Sequence, residues 1–189
     1  MANDISIIRN IINVNYAGEY GAIRLYRSHI FIAKLFYKDL VDTLKKIQYD
    51  EKHHCMLFRN IMPEYNMRPC KLTLIWGAAA YLLGIATALM GRRSLLLCVK
   101  AAEETAHAHL SSQIVFLKNI DPKLADTIHR IDIEEQKHVL FSKQLLADRK
   151  ISKYEMYLYK IIENTCQLTM WLVTKGKSSE LKKFLKSNQ

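Results

Sequence analysis

Two stretches of this 189-residue chain repeat one pattern of glutamate and histidine residues. Glu19 is followed by Glu51-Lys52-His53-His54, and Glu103 is followed by Glu135-Gln136-Lys137-His138. The same 32 residues separate the single glutamate from the Glu-x-x-His motif in both copies (51 − 19 and 135 − 103). One Glu-x-x-His motif arises easily by chance, but two copies with matched upstream glutamates do not. This repeat therefore decides the interpretation of the fold.

The spacing within the repeat predicts helices that meet in pairs. Residues i and i+3 share a helix face, so the glutamate and histidine of each motif can reach one metal ion. The 32-residue gap suits an antiparallel hairpin with a turn midway, near Lys38-Asp39 in the first copy and at Asn119-Ile120-Asp121-Pro122 in the second. The second turn combines an N-cap residue with an N1 proline. Four carboxylates and two imidazoles in two such hairpins are the ligands of a di-iron site in a ferritin-like four-helix bundle.

Composition supports a single all-α domain over residues 1–189. Hydrophobic residues make up 50% of the chain, with only three prolines and six glycines, as expected for a helical protein with a core large enough to be stable. We expect two ligand hairpins, an extra apolar helix between them, and a C-terminal helix followed by a basic tail. Their approximate ranges are 4–62 and 95–147 for the hairpins, 72–91 for the apolar helix, and 152–189 for the C-terminal part.

The formal charge of +10 points to an anionic partner. No recognised nucleic-acid-binding motif accompanies this charge, so we expect no nucleic-acid partner. An anionic membrane surface fits better, because the chain also carries a long apolar segment. For the basic C-terminus, where Lys175, Lys177, Lys182, Lys183 and Lys186 cluster, a simply solvated tail remains an equal alternative.

The segment from Leu72 to Gly91 is the most apolar part of the chain. It holds no charged residue and lies between Lys71 and Arg92-Arg93. Its length could span a bilayer, but a single span would separate the two halves of the repeat and prevent a shared site. We therefore predict an interfacial or re-entrant helix that lies across the bundle end and enters one leaflet. The alternative is a fully buried core helix.

Cysteines and the N-terminus bear on the compartment. Cys55, Cys70, Cys98 and Cys166 are scattered without a Cys-x-x-Cys motif, which favours reduced thiols. The opening residues resemble neither a secretory signal nor an Arg-rich mitochondrial transit sequence. We accordingly expect a bacterial cytoplasmic setting.

Two glycines flank the first glutamate of the repeat. Gly18 and Gly21 lie inside the first predicted helix, where each glycine costs about 1 kcal/mol relative to alanine. Two such costs beside a candidate ligand predict that another helix packs closely against this point.

Several further motifs make the chain resemble a known enzyme family. They are Ala17-Gly18-Glu19-Tyr20-Gly21-Ala22, Arg68-Pro69 before the apolar segment, Glu103-Glu104 followed by His109, and the two Glu-x-x-His motifs. Together they resemble the demethoxyubiquinone hydroxylases of ubiquinone biosynthesis, with similarity from about Ile7 to Trp171. The Glu-x-x-His motifs alone would also fit ferritins and rubrerythrins.

The resemblance implies a di-iron mono-oxygenase with two iron ions per subunit. Such an enzyme inserts one oxygen atom from O2 into the ring of 2-polyprenyl-3-methyl-6-methoxy-1,4-benzoquinol. It implies a peripheral protein on the cytoplasmic face of the bacterial inner membrane, or on the matrix face in a eukaryote. A homo-oligomer or an accessory lipid-binding protein is an expected partner. The alternative function is a ferritin- or rubrerythrin-like iron oxidase or peroxide-detoxifying protein, and a non-enzymatic alternative is a membrane-associated interaction protein.

The resemblance also assigns residue roles. It implies six metal ligands: terminal carboxylates at Glu19 and Glu103, bridging carboxylates at Glu51 and Glu135, and imidazoles at His54 and His138. His109 matches a family histidine beside the site that is implicated in proton or electron delivery. The chain departs from the family at Asn15-Tyr16 and at Leu110, where the family has Asp-His and a tyrosine.

The acids beside the predicted ligands need separate assignments. Glu104 follows Glu103 and Glu134 precedes Glu135, so only one acid of each pair can face a metal. The i, i+3 relation to His138 selects Glu135, and the matched 32-residue gap together with the family pattern selects Glu103. For Glu104 we predict a hydrogen bond to a ligand, with solvated surface as the alternative; for Glu134 both remain open. Four other histidines are predicted to be incidental: His29, His53, His107 and His129.

Overall fold

The structure is a computed structural model that describes residues 2–173. Within that range it contains six α-helices and no strand, which confirms the all-α fold. The helices are α1 (Ala2–Phe36), α2 (Val41–Ile61), α3 (Thr73–Leu89), α4 (Arg92–Leu117), α5 (Pro122–Leu146) and α6 (Lys153–Val173).

Two helical hairpins, α1–α2 and α4–α5, form the bundle, and their turns fall where the sequence predicts them. A short 3-10 segment, Lys38–Leu40, links α1 to α2. Asp121 caps α5, since its carboxylate accepts a hydrogen bond from the Leu124 amide at 3.1 Å, and Pro122 occupies the first helical position. The proline lacks the amide hydrogen that would be unpaired at this position.

The bundle interior has an apolar cluster at each end and a polar layer between them. One cluster includes Ile12, Phe58 and Ile128, and the other includes Leu44 and Leu95, all almost fully buried. Along each of the four helices, the residues of the repeat lie between the stretches that supply the two clusters. The polar layer is thus shielded from water along the bundle axis.

Helix α3 packs lengthwise on α1 and not across the bundle end. Its contacts advance in step along the two helices, from Gly77 against Tyr20 to Thr87 against His29, where the Thr87 hydroxyl lies 3.1 Å from His29 Nε2. The predicted position across the bundle end is therefore wrong. The opposite face exposes apolar side chains, including Leu82, so the alternative of a fully buried core helix is wrong as well. Among the described helices, none has the length and apolarity needed to cross a membrane.

The close helix contact predicted at Gly18 and Gly21 is formed instead by a glycine of α3, where α3 packs on α1. A Cβ added at Gly18 would meet nothing within 4 Å, and one at Gly21 would make an ordinary contact of 3.8 Å with Ala80. A Cβ at Gly84, in contrast, would lie 2.8 Å from the Leu25 carbonyl oxygen and would overlap the Ser28 hydroxyl. The absence of a side chain at Gly84 therefore allows α3 to approach α1.

Helix α6 is the predicted C-terminal helix, and it packs on α4 and α1. Its first turn is fixed by the buried Glu155 carboxylate, which accepts hydrogen bonds from Arg93 Nε at 2.7 Å and Arg149 Nη2 at 2.8 Å. The predicted basic tail, with its cluster of lysines, lies outside the described residues.

Candidate metal centre

The polar layer brings the six residues of the repeat together. None has more than 7% of its surface exposed, although four are carboxylic acids and two are histidines. Burial of so many ionisable groups is costly unless they are paired or bind a metal. The six residues are Glu19, Glu51, His54, Glu103, Glu135 and His138.

The six residues form two overlapping groups, each able to hold one metal ion. One ligand atom from each member lies within 4.8 Å of those of the others. Glu51 and Glu135 belong to both groups. The first group adds Glu19 and His54, and the second adds Glu103 and His138. Each group consequently draws residues from both hairpins.

Both histidines direct Nδ1 into the cluster. His54 Nδ1 lies 3.2 Å from Glu135 Oε1 and 3.8 Å from Glu19 Oε2. His138 Nδ1 lies 3.4 Å from Glu51 Oε1 and 3.5 Å from Glu135 Oε2. Four of these buried atoms have no hydrogen-bond partner: His54 Nδ1, His138 Nδ1, Glu51 Oε1 and Glu135 Oε2. Such unpaired buried atoms are rare, and metal ions that accept nitrogen and oxygen ligands would satisfy them.

The outer nitrogen of each histidine contacts an acid on the opposite hairpin. His54 Nε2 lies 2.8 Å from Glu134 Oε2, and His138 Nε2 lies 3.3 Å from Asp50 Oδ2. Carboxylates in this position fix the ring orientation of metal-binding histidines. Sequence reasoning missed Asp50, although Asp50 precedes Glu51 as Glu134 precedes Glu135.

The contacts of the Glu104 carboxylate are with residues other than the predicted ligands, so the predicted hydrogen bond to a ligand was wrong. Its carboxylate binds Lys100 Nζ at 2.7 Å, Lys143 Nζ at 2.9 Å and the Tyr159 hydroxyl at 2.7 Å. The 100° step between successive helical residues turns Glu104 away from Glu103, toward α5 and α6.

Tyr26 is a further neighbour that sequence reasoning missed. It is fully buried, and its hydroxyl donates a hydrogen bond to Glu103 Oε1. Seven residues, or two helical turns, separate Tyr26 from Glu19 on α1. That spacing places Tyr26 on the face of α1 that carries the repeat.

The crowded acids have strongly shifted protonation equilibria. Burial, followed by repulsion from Glu103 and Glu19, raises the pKa of Glu51 well above its usual range. Burial and the nearby Glu135 carboxylate raise the pKa of Glu103 to about 8. Burial disfavours a charged His54, but the nearby Glu135 and Glu19 carboxylates outweigh that cost and raise its pKa to about 12. Bound positive charge, whether protons or metal ions, would relieve the repulsion among these buried carboxylates.

The four histidines predicted to be incidental belong to neither group. His53 and His129 are exposed, and His29 is buried beside α3. His107 Nδ1 contacts Asp132 Oδ1 at 2.6 Å.

A cavity of about 200 Å³ leads to the carboxylates from the side where α1, α3, α4 and α6 meet. Glu19, Glu51, Glu103 and Glu135 all contribute to its wall. His109 lines the same cavity. The rest of the wall is largely apolar, and includes Trp76, Leu83, Leu110, Ile162 and Met170.

Comparison with known proteins identifies the family of this chain. The family model described as "Ubiquinone biosynthesis protein COQ7" matches residues 6–173. The chain belongs to the COQ7 family. Among COQ7-related proteins, the mouse (Mus musculus) "NADPH-dependent 3-demethoxyubiquinone 3-hydroxylase, mitochondrial" is 31% identical over 169 residues, which cover 87% of this chain and 76% of the mouse protein. The resemblance to demethoxyubiquinone hydroxylases is therefore confirmed.

Other COQ7-related proteins extend the comparison to humans and bacteria. The human (Homo sapiens) protein of the same name is 30% identical over the same shares of the two chains. The "3-demethoxyubiquinol 3-hydroxylase" of Rhodospirillum rubrum is 29% identical over 133 residues, which cover 70% of this chain and 62% of the bacterial protein.

Proposed function

We propose that this chain is a di-iron hydroxylase of ubiquinone biosynthesis that uses O2 to hydroxylate the ring of a polyprenyl methoxybenzoquinol. The main support is the pair of overlapping ligand groups, in which four buried atoms without hydrogen-bond partners face one another. The names of the relatives support the substrate class and the hydroxylation.

In this proposal each ligand group holds one iron ion. Glu19 and His54 would hold the first iron, Glu103 and His138 would hold the second, and Glu51 and Glu135 belong to both groups. Iron bound by oxygen-rich ligands with one imidazole supplies the activation of O2. Asp50 and Glu134 accept hydrogen bonds from the outer histidine nitrogens and hold the inner nitrogens toward the metals.

The apolar cavity binds the quinol ring and excludes water from the carboxylates. Its walls come from α3 and α6 as well as from α1 and α4, so a prenyl tail can leave the cavity between apolar side chains. His109 is only partly buried and lines the cavity, so its imidazole can carry protons between the cavity and water.

The outer helices provide a surface for an anionic membrane. Four apolar side chains of α3 are each at least 61% exposed, namely Leu74, Ile75, Leu82 and Leu89. Leu168 and Trp171 of α6 are also exposed. Exposed apolar surface beside a cavity is typical of proteins that take substrates from a bilayer. A peripheral position on the cytoplasmic face of a bacterial inner membrane is the corresponding location.

Vesicle sedimentation tests the membrane surface. With vesicles containing anionic phospholipid, we expect the wild-type chain to sediment and the Ile75→Ser/Leu82→Ser variant to bind several-fold more weakly. Val115→Ser/Leu140→Ser is the matched control, because those apolar side chains are also more than half exposed but lie on bundle helices. Equal binding by wild type and both variants would contradict the proposal.

Anaerobic loading with Fe²⁺, followed by exposure to O2 with a short-chain demethoxyquinol, tests the reaction. NADPH is the first electron donor to supply, because the mammalian relatives are named for it. We expect two irons per chain and a hydroxylated ring in the product. Two irons that oxidise without a hydroxylated product would favour the ferritin- or rubrerythrin-like alternative. A folded chain that binds no iron would contradict any di-iron function.

A further inference from the structure

The two ligand groups differ in how their terminal carboxylates are held. Glu103 accepts a hydrogen bond from the buried Tyr26 hydroxyl through Oε1, which leaves Oε2 on the side of His138. One oxygen of Glu103 is thereby fixed before any metal binds.

The helix register identifies the corresponding position beside Glu19. Asn15 on α1 pairs with Gln113 on α4 through reciprocal hydrogen bonds of 2.8 Å and 2.9 Å. Farther along, Tyr26 on α1 pairs with Glu103 on α4. Residue numbers rise on one helix as they fall on the other, so α1 and α4 are antiparallel and level with each other at these pairs. This register places Glu19 opposite residues 109 and 110 of α4.

Leu110 therefore occupies the place that Tyr26 holds in the other half. Tyr26 follows Glu19 by seven residues, and Leu110 follows Glu103 by seven residues. Leu110 is buried and lines the cavity, as Glu19 does. A leucine side chain cannot donate a hydrogen bond. The repeat is thus symmetric in its ligands but asymmetric in the group that orients each terminal carboxylate.

We propose that Tyr26 is a positioning residue that makes the Glu103–His138 metal position the tighter of the two, and that Leu110 leaves the Glu19–His54 position weaker. The inference deepens the proposed function and rests on its two metal positions. Hydrogen bonds that orient metal ligands typically change metal affinity about 10–100-fold when they are removed. The two positions bind metal in two unequal steps.

Anaerobic titration with Co²⁺ tests this inference without reliance on enzyme activity. Co²⁺ binding is followed by visible absorption and by equilibrium dialysis with metal analysis. We expect the wild-type chain to bind two Co²⁺ with clearly separated dissociation constants. Tyr26→Phe keeps the aromatic ring and removes the hydroxyl, so it should weaken the tighter step about 10–100-fold and leave the other step unchanged.

Leu110→Tyr tests the opposite change, a gain of metal affinity at the weaker position. Its added hydroxyl should strengthen the weaker step, whereas Leu110→Phe, which adds the ring alone, should not. Helix content and thermal unfolding of each variant separate these effects from misfolding. Equal affinities in the wild type, or a Tyr26→Phe variant with both constants unchanged, would overturn the inference while two bound metals still supported the proposed function. A folded wild-type chain that binds no Co²⁺ and no Fe²⁺ would overturn the proposed function itself.

Discussion

The four bundle helices and the two outer helices both depart from the usual rule that ionisable side chains are exposed and apolar side chains are buried, but they do so in opposite ways. The bundle buries four glutamates and two histidines in its centre, while α3 and α6 expose leucine, isoleucine and tryptophan side chains. Soluble domains rarely bury unpaired ionisable groups or expose large apolar patches. Both regions line the same cavity, whose inner end is acidic and whose outer walls are apolar. The parts of this chain least favourable to stability are therefore those that form its candidate site.

The largest difference is expected between the same substitution at two adjacent residues of α4, Glu103 and Glu104. Glu103→Gln removes one of the proposed metal ligands, so we expect loss of at least one metal per chain and loss of hydroxylation. Glu104→Gln is the matched control, since its carboxylate binds Lys100, Lys143 and Tyr159 outside the cluster. Metal analysis and product assays at unchanged helix content provide the measurements. Equal metal loss in both variants would contradict the proposal that Glu103, and not Glu104, belongs to the metal centre.

The part of the centre that could be predicted from sequence is the part set by helix geometry. The i, i+3 spacing and the equal gaps place the six residues in one layer without knowledge of other contacts. The partners of that layer could not be found in this way. Asp50 and Tyr26 contact ligands on other helices, so their roles depend on how the helices face one another.

The errors have the same physical origin. Glu104 was predicted to support a ligand because it adjoins one, yet adjacent helical residues point about 100° apart. Gly18 and Gly21 were predicted to mark a close helix contact, but the closest approach of α1 and α3 is at Gly77 and Gly84 of α3. The apolar segment was identified from its composition, whereas its direction along α1 depends on contacts between the two helices.

A pair of glycine substitutions would test how tightly α1 and α3 pack along the seam between them. Gly84→Ala would push a methyl group against the Leu25 carbonyl and the Ser28 hydroxyl, and overpacking of this kind costs about 1–3 kcal/mol. Gly18→Ala meets no atom within 4 Å and should stabilise α1 by up to about 1 kcal/mol. Denaturant unfolding of both variants measures these changes. Destabilisation by both substitutions to the same extent would mean that the seam is not specially tight.

The smallest effect concerns the acid that fixes α6 to the bundle. Hydrogen bonds from Arg93 and the Ser152 amide lower the pKa of Glu155 to about 2, from an ordinary value of 4.5. Because the folded state favours the ionised carboxylate, its contribution to stability is present above about pH 4.5 and is lost as the pH falls toward 2. We therefore expect the difference in unfolding free energy between wild type and Glu155→Gln to be largest near neutral pH. A difference that stayed constant from pH 7 to pH 3 would contradict this role.

If the two ligand groups hold metal as proposed, the sharing of Glu51 and Glu135 would make metal supply part of the chain's own maturation. Neither hairpin carries a full ligand group, so each bound ion joins two segments that are distant in sequence. A ligand that binds only the folded state raises its stability as the free concentration rises above the dissociation constant. We expect a chelator to lower the unfolding midpoint and added Fe²⁺ to restore it, and an unchanged midpoint would contradict this. In a cell short of iron, more of the newly made chain would then remain open to proteases, and the amount of this protein would follow the iron available to it.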